Sequence, residues 1–415
     1  MRSPERKKVI FVLIDALGAV YFSAHRSRLP YLSQLAEQGI SVARVTPAIP
    51  GTSRPGRSTI LTGSDTSVNG VYGNSVLDDK MFRPATESDI NGKTIAGAAH
   101  DAGLDVVGLG FGLVRPEDTT LQVDAWWEHL KYPGLTNIKV PSSQDIWKVR
   151  RDPERRLSRF LDAELGSGQK SWSDAGLHPY MVGLASDQLM LQLAADLACS
   201  DQPPDLILTE FSTTDLVQHY HGYDSPTTNW AYQTADMAIG LLLHRLTAGK
   251  RIDDYVVVVA SDHGQAPIHT AIYPEPLIPH DRWTTEGASL HVVMRSVDEA
   301  AGIGERLSEL GVKQLEGRHL PASARAEGVV TFVAPKGMGF ERRPEGSLEQ
   351  DTTGVPTIVS THGLEPGDPG DEAIAFVTGT PEQRRYHLGD LRQIAPTIAT
   401  VLGLPTDGFA MPSWV

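Results

Sequence analysis

Short apolar runs recur along the chain with little polar alternation inside them. Val9 to Ile14, Ile40 to Val45, Val106 to Gly110, Leu206 to Leu208, Tyr255 to Ala260 and Ala373 to Thr378 are such runs. They are rich in β-branched residues, which predicts strands, most of them buried on both faces. Between them lie helical patterns. In Leu29 to Gly39, Leu32, Leu35 and Ala36 share a face with Leu29, and Gly39 ends the pattern. Asn91 to Ala102, Met181 to Ala198, Thr228 to Leu246 and Leu391 to Leu402 read as further helices. Strands that alternate with helices predict an α/β fold with a mainly parallel sheet and helices on both faces.

Two stretches break the rhythm. From about 114 to 180 the periodicity is poor, and Trp126, Trp127, Trp147 and Trp172 fall there with the basic run Lys148-Val149-Arg150-Arg151. Tryptophans need apolar surface or a ligand, and core packing is their commoner use. From about 267 to 348 a second irregular segment holds a helix near Glu299 to Leu310 and a strand near Val329 to Val333. The expectation is one catalytic domain over 1–415, with both segments inserted as a cap.

Composition narrows the function classes. The 415 residues are 40% hydrophobic and 21% charged, ordinary for a globular protein with a large core. A formal net charge of −14 argues against binding a nucleic-acid polymer. It leaves an anionic small substrate open, because bound metal ions can reverse the local charge. Cys199 is the sole cysteine, so no internal disulfide forms, and it reads as a small core residue. The charged stretch Met1 to Lys8 runs straight into a strand, without a signal-peptide apolar region or a membrane-spanning run. A cytoplasmic location and no membrane partner are expected.

The chemistry gathers at strand ends. Tyr255 to Ala260 runs into Ser261-Asp262-His263-Gly264. That places an oxygen and a nitrogen donor at the carboxyl edge of the sheet, where open α/β sheets hold their sites. Alone, this tetrapeptide could be a turn with a solvated histidine. Other segments end similarly: the first strand in Asp15, the Leu206 strand through to Asp215 and His219, and Ser360-Thr361-His362-Gly363 in another histidine. Asp215 and His219 are four apart, so one helical turn presents both on one face. Three carboxylates and three imidazoles suit zinc, and six donors divide into a two-metal site. Pro47 to Gly51 forms a loop, and a short helix starting near Ser53 offers an anion its N-terminal dipole.

As an ordered set, Asp15, the Ser53 to Gly63 stretch, Asp215-x-x-x-His219, Ser261-Asp262-His263-Gly264 and Thr361-His362-Gly363 resemble the alkaline phosphatase superfamily. They are most similar to its nucleotide pyrophosphatase/phosphodiesterase branch, which includes phosphonoacetate hydrolase-like enzymes. Ile394-Ala395-Pro396-Thr397-Ile398 with Leu402-Gly403-Leu404-Pro405 resembles that superfamily's C-terminal helix. The resemblance implies a three-layer α/β/α fold and two zinc ions. Asp15, Ser53, Asp262 and His263 would hold one ion, and Asp215, His219 and His362 the other. Ser53 aligns with the nucleophile, with Thr52 the rival by one position. Asn74, in Asn69-Gly70-Val71-Tyr72-Gly73-Asn74, falls in the segment that follows the nucleophile helix, where the resemblance expects substrate binding. The implied reaction is phosphate-ester hydrolysis through a phosphoseryl intermediate, on a small phosphorylated or phosphonate substrate.

The chain departs from the branch at the nucleophile. Phosphodiesterases of this kind usually carry Asn three residues on, where this chain has Gly56 between Arg54 and Arg57. Arginine grips phosphoryl oxygens bidentately, so both are candidate substrate contacts that favour a monoester or phosphonate. Ser53-x-Pro55-x-Arg57 with Thr62-Gly63 also matches the sulfatase signature. Sulfatases resemble one another in an Asp-Asp pair and one calcium, whereas Ala16 follows Asp15 here and the histidines favour zinc. A binder without turnover would lack a ligand or the nucleophile, and this set lacks neither. The natural substrate and the oligomeric state stay open at this level.

Overall fold

The computed structural model describes residues 6–129, 148–157, 179–344, 346, 348 and 350–415. Its central sheet is built from β1 (Lys8–Ile14), β2 (Ile40–Thr46), β3 (Val106–Leu109), β4 (Leu121–Val123), β5 (Val149–Arg151), β6 (Leu206–Phe211), β7 (Tyr255–Ala260) and β8 (Ala373–Thr378). Their order across the sheet is β2-β8-β7-β1-β6-β3-β4-β5, with two short strands, Arg385–Tyr386 and Gly389–Asp390, beside β2. From β7 to β4 every pairing is parallel. β8 runs antiparallel to both of its neighbours, and β5 antiparallel to β4.

The layers follow from the pleat. In β1, Val9, Phe11 and Leu13 pack to one side with Ile60, Leu61 and Ile398. Ile10, Val12 and Ile14 pack to the other with Leu32, Leu191 and Ile239. Successive side chains of a strand face opposite ways, so an unbroken apolar run is what a strand between two helical layers requires. Each such side chain contributes about 1.5–3 kcal/mol when buried. The helices include α1 (Pro30–Gln38), α2 (Ser53–Thr62), α3 (Pro179–Ala198), α4 (Thr213–His221), α5 (Pro226–Ala248) and α6 (Ile394–Val401). The fold is therefore the expected three-layer α/β/α arrangement with a mainly parallel sheet.

Caps move several boundaries. The helix expected from Asn91 starts at Ile95, because the Thr94 side chain accepts the Gly97 N–H at 3.0 Å and sets the first turn there. α5 begins at Pro226, two residues before the expected Thr228, behind a Ser225 cap on Thr228 N–H. A hairpin of Ser75–Asp78 with Met81–Pro84 and a helix over Ala19–His25 were not foreseen. Cys199 is half-buried at the end of α3. No helix among the described residues is long and apolar enough to cross a membrane.

The segment over 267–348 carries its own antiparallel sheet. Its strands are Trp283–Glu286, Ser289–Val293, Val329–Val333 and Lys313–Gln314, in that order. With the helix Val297–Ser308 they enclose a separate core of Trp283, Leu290, Val292, Ile303, Leu307 and Phe332. Much of the segment over 114–180, including Trp147 and Trp172, lies outside the described residues. Trp126 is buried and donates from Nε1 to Asp187 and Ser212, at 3.0 and 2.8 Å. Trp127 lies over two arginines of the site.

Candidate active site

β7, β1 and β6 are adjacent and parallel, with Ala260 opposite Leu13 and Ile14 opposite Phe211. Their carboxyl ends therefore reach one level of the sheet. Asp15 follows β1 and donates its N–H to Phe211 O at 3.0 Å. The next residue, Ala16, has φ +60, a costly turn for a residue with a Cβ. Its carbonyl is held there by Tyr232 Oη at 2.6 Å and Gln218 Nε2 at 3.1 Å. The turn re-aims the chain immediately after Asp15, so the carboxylate sits at the sheet edge and 4% exposed.

Two groups of donors converge. Asp215, His219 and His362 offer atoms within 4.8 Å of one another, as do Asp15, Asp215 and His263. α4 supplies Asp215 and His219 one turn apart, with Oδ2 3.3 Å from Nε2. His362 Nε2 is 3.7 Å from Asp215 Oδ1. The rings of His263 and His362 lie 4.2 Å apart between centroids, tilted by 38°. Backbone carbonyls fix two of the imidazoles: His219 Nδ1 meets Ser360 O at 2.8 Å, and His263 Nδ1 meets Gly264 O at 3.0 Å. That leaves Nε2 of both for the centre of the site, the arrangement metal-binding histidines use. Asp262 lies beside this group, with Oδ2 3.5 Å from His263 Nε2.

Ser53 opens α2, and its Oγ is 3.4 Å from His263 Nε2. The rival Thr52 is fully buried, and its hydroxyl donates away from the donors, to Glu286 Oε2 at 3.2 Å. Asn74 Oδ1 accepts the Arg54 N–H at 2.8 Å, which commits the oxygen and leaves its amide nitrogen as the group to donate. Arg54 is partly buried beside Ser53, its guanidinium 5.0 Å above the Trp127 ring and donating to Ala85 O.

Arg57, expected as a substrate contact, is engaged within the protein. Its side chain is wholly buried, and its N–H groups go to Glu210 at 2.8 Å, Asp262 at 2.9 Å, Asp15 at 2.7 Å and the Ser53 carbonyl at 3.1 Å. The one-turn spacing does bring it back under Ser53, but on the side of α2 that faces the sheet's carboxylates. Gly56 has an equally plain cause. A Cβ there would stand 2.7 Å from Asp262 Cβ, so any side chain would push α2 off the site.

Three further residues serve the site and were not read from the sequence. Glu210, on β6, accepts from Arg57, from Gly112 N–H at 3.3 Å and from Trp127 Nε1. A glutamate within a buried strand was the available signal. Gln265 Nε2 donates to Asp215 Oδ1. Asp371 accepts the N–H groups of Gly363 and Leu364, at 3.1 and 2.9 Å, and so holds the His362 loop. That loop leaves a two-residue strand, Ser360–Thr361, paired with Ala266–Pro267. Neither Gln265 nor Asp371 stands in a sequence pattern that announces its partner.

The electrostatics ask for cations. Asp15, Asp262 and Glu210 share the one Arg57 guanidinium, and Asp215 adds a fourth carboxylate among the histidines. Burial pushes Asp15 well above the ordinary carboxylate range, and the charges of Asp262 and Asp215 add to it against the pull of Arg57. Asp262 is pushed up to about 6, chiefly by burial. Burial also raises Asp215, but the neighbouring histidines, His219 foremost, win and hold it below the usual range. Burial lowers His263 and His362, which keeps both imidazoles neutral, as metal ligands must be. Asp15 Oδ1 is buried without a hydrogen-bond partner. An acidic, histidine-rich donor set with an unsatisfied buried oxygen fits divalent metal ions.

The comparisons with known proteins agree with this geometry. The sequence profile of the type I phosphodiesterase/nucleotide pyrophosphatase family matches residues 9–329. An uncharacterised pyrophosphatase/phosphodiesterase of Schizosaccharomyces pombe is 24% identical over 262 residues, covering 62% of this chain. The chain spans 45% of that relative's length. Human ectonucleotide pyrophosphatase/phosphodiesterase 5 is similar in structure, with a TM-score of 0.68 at 15% identity over 98% of this chain and 96% of its own. An inactive threonine-to-alanine variant of the murine counterpart, in complex with AMP, gives 0.66 at 14% identity over 98% and 97%. The chain belongs to the type I phosphodiesterase/nucleotide pyrophosphatase family, a branch of the alkaline phosphatase superfamily whose chemistry is phosphate-ester hydrolysis.

Proposed function

We propose that this chain is a two-zinc phosphodiesterase of nucleotide pyrophosphatase type that works through a phosphoseryl intermediate on Ser53. The observation that carries the reading is the Ser53 hydroxyl at the head of α2, 3.4 Å from His263 Nε2, among five converging candidate ligands with Asp262 beside them. Asp15, Ser53, Asp262 and His263 would hold one ion, and Asp215, His219 and His362 the other. Zinc bound there supplies Lewis acidity, lowering the pKa of the serine hydroxyl and of water and neutralising charge on the leaving oxygen. Ser53 Oγ attacks phosphorus in line and displaces the alcohol or nucleotide. Asn74 and Arg54 hold the non-bridging oxygens while negative charge grows on them. Water then attacks the phosphoserine, returns the hydroxyl and releases phosphate or its monoester. In the murine neighbour a threonine-to-alanine variant is inactive and in complex with AMP, which supports a catalytic hydroxyl and a small phosphorylated ligand.

A second reading, a phosphomonoesterase or phosphonoacetate hydrolase-like activity on the same site, is favoured by Arg54 beside the nucleophile. A guanidinium gains more from a dianion than from a diester monoanion. The segments over 114–180 and 267–348 would set substrate choice as a cap within a single catalytic domain.

The test combines metal content with rates on p-nitrophenyl phosphate, bis-p-nitrophenyl phosphate, p-nitrophenyl sulfate and phosphonoacetate. The expected result is close to two zinc ions per chain, turnover abolished by chelation, and a Ser53→Ala variant that folds but loses several orders of magnitude in rate. One calcium without zinc, together with sulfate-ester turnover, would overturn it.

A further inference from the structure

The turn Glu286–Ser289 joins the first two strands of the second segment's sheet and reaches three parts of the site. Glu286 is 5% exposed, and its Oε2 accepts the Thr52 hydroxyl at 3.2 Å. Its Oε1 accepts the Ser75 N–H at 2.8 Å, one residue beyond Asn74. Ala288 N–H donates to His362 O at 2.9 Å, and Ser289 Oγ to Gly363 O at 2.8 Å. The nucleophile helix, the Asn74 segment and the His362 loop thus hang from one turn.

Two details show that the arrangement is built rather than incidental. Thr52 stands at the N-cap of α2 but makes no side-chain cap bond, its hydroxyl being given to Glu286. A threonine at this position ordinarily caps its helix, so α2 forgoes that bond in favour of the carboxylate. Gly73 supplies the room: a Cβ there would lie 2.6 Å from Glu286 Oε1 and 2.9 Å from His291 Nε2.

We propose that Glu286 is a positioning residue. It sets the spacing between Ser53, through Thr52, and the phosphoryl-oxygen donor Asn74, through Ser75. Glu286 touches neither substrate nor candidate metal ligands in this assignment, which rests on the roles given above to Ser53 and Asn74. Misplacing reacting groups by about 1 Å can cost 100-fold in rate without loss of binding. The effect therefore falls on kcat more than on KM.

The experiment compares Glu286→Ala, Glu286→Gln, Thr52→Val and the Thr52→Val/Glu286→Ala double variant, as zinc-loaded full chains on bis-p-nitrophenyl phosphate and p-nitrophenyl phosphate. Glu286→Ala should lower kcat roughly 10- to 100-fold on the better substrate, with KM within about threefold and metal content unchanged. Glu286→Gln keeps an acceptor for Ser75, and Thr52 can turn to accept from its amide, so it should recover most of the rate. Thr52→Val should lower kcat in the same direction, and the double variant should be no worse than Glu286→Ala, because both act through one link. Thr52→Val at wild-type kcat, or fully additive losses in the double variant, would overturn the proposal. Ser53→Ala separates the two levels. Activity surviving in it would sink the nucleophile assignment, whereas its loss with kcat intact in Thr52→Val and Glu286→Ala would sink only the role of Glu286.

Discussion

Arg57 Nη2 lies 2.7 Å from Asp15 Oδ2, with the guanidinium fully enclosed and Glu210 and Asp262 completing its shell. The cation thus pairs with carboxylates of the sheet edge, and its expected part is to neutralise them. Arg57→Met would leave buried carboxylates unpaired, a change that typically costs about 3–5 kcal/mol. The expected outcome is a large drop in melting temperature measured in chelator, partly recovered when zinc is added. Its residual kcat/KM should fall by the same factor on monoester and diester. A selective loss on the monoester would return Arg57 to the substrate.

Arg54 is the arginine expected to read substrate charge. Its guanidinium is held over Trp127, on the residue that follows Ser53. A hydrogen bond to a charged group is worth about 1.5–3 kcal/mol, so Arg54→Ala should cost roughly 10- to 100-fold in kcat/KM on p-nitrophenyl phosphate. On bis-p-nitrophenyl phosphate the loss should be clearly smaller. Equal losses would show that Arg54 supports the loop and does not discriminate.

Gly56→Ala tests the fit of α2 against the sheet. The added methyl would need 2.7 Å from Asp262 Cβ, closer than carbon atoms pack. Overpacking of this kind costs about 1–3 kcal/mol. Because the displaced residue is Asp262, zinc affinity should fall along with the melting temperature. A variant that binds zinc as tightly as the parent would show that the helix can shift without moving Asp262.

Asp371 is expected to matter for metal although it lies outside the ligand set. It orients His362 through the backbone of Gly363 and Leu364. Outer partners of metal ligands are typically worth 10- to 100-fold in affinity, and Asp371→Ala should weaken zinc binding by about that factor. The check is competitive titration against a chelator, and one ion of the two should be affected far more than the other.

Much of this site was legible in the chain because parallel sheets impose a simple grammar. Asp15, Asp262 and His263 each follow an unbroken apolar run, and Asp215 and His219 share a helical face. What could not be read was orientation. The spacing of Arg57 from Ser53 was correctly one turn, yet sequence does not say which neighbour that side of the helix meets. Glu286 and Asp371 were invisible for another reason: each acts on residues more than two hundred positions away or on backbone groups. The sheet over 283–333 was half missed, since its strands are short and interrupted by the helix Val297–Ser308.

One candidate ligand, His362, rests on a much smaller support than the others. Asp15, Asp262 and His263 grow from β1 and β7, in the middle of the sheet and enclosed by both helical layers. They can come apart only when the whole sheet opens. His362 is held outside the central sheet, by a two-residue strand, the Asp371 carboxylate and the 286–289 turn. Elements with few ladder bonds open locally at a fraction of the global free energy. On warming, the chain should therefore pass through a state that keeps its fold and the other donors but has let His362 go. Heat inactivation would then precede unfolding, and cooling or added zinc would reverse it before the sheet is lost.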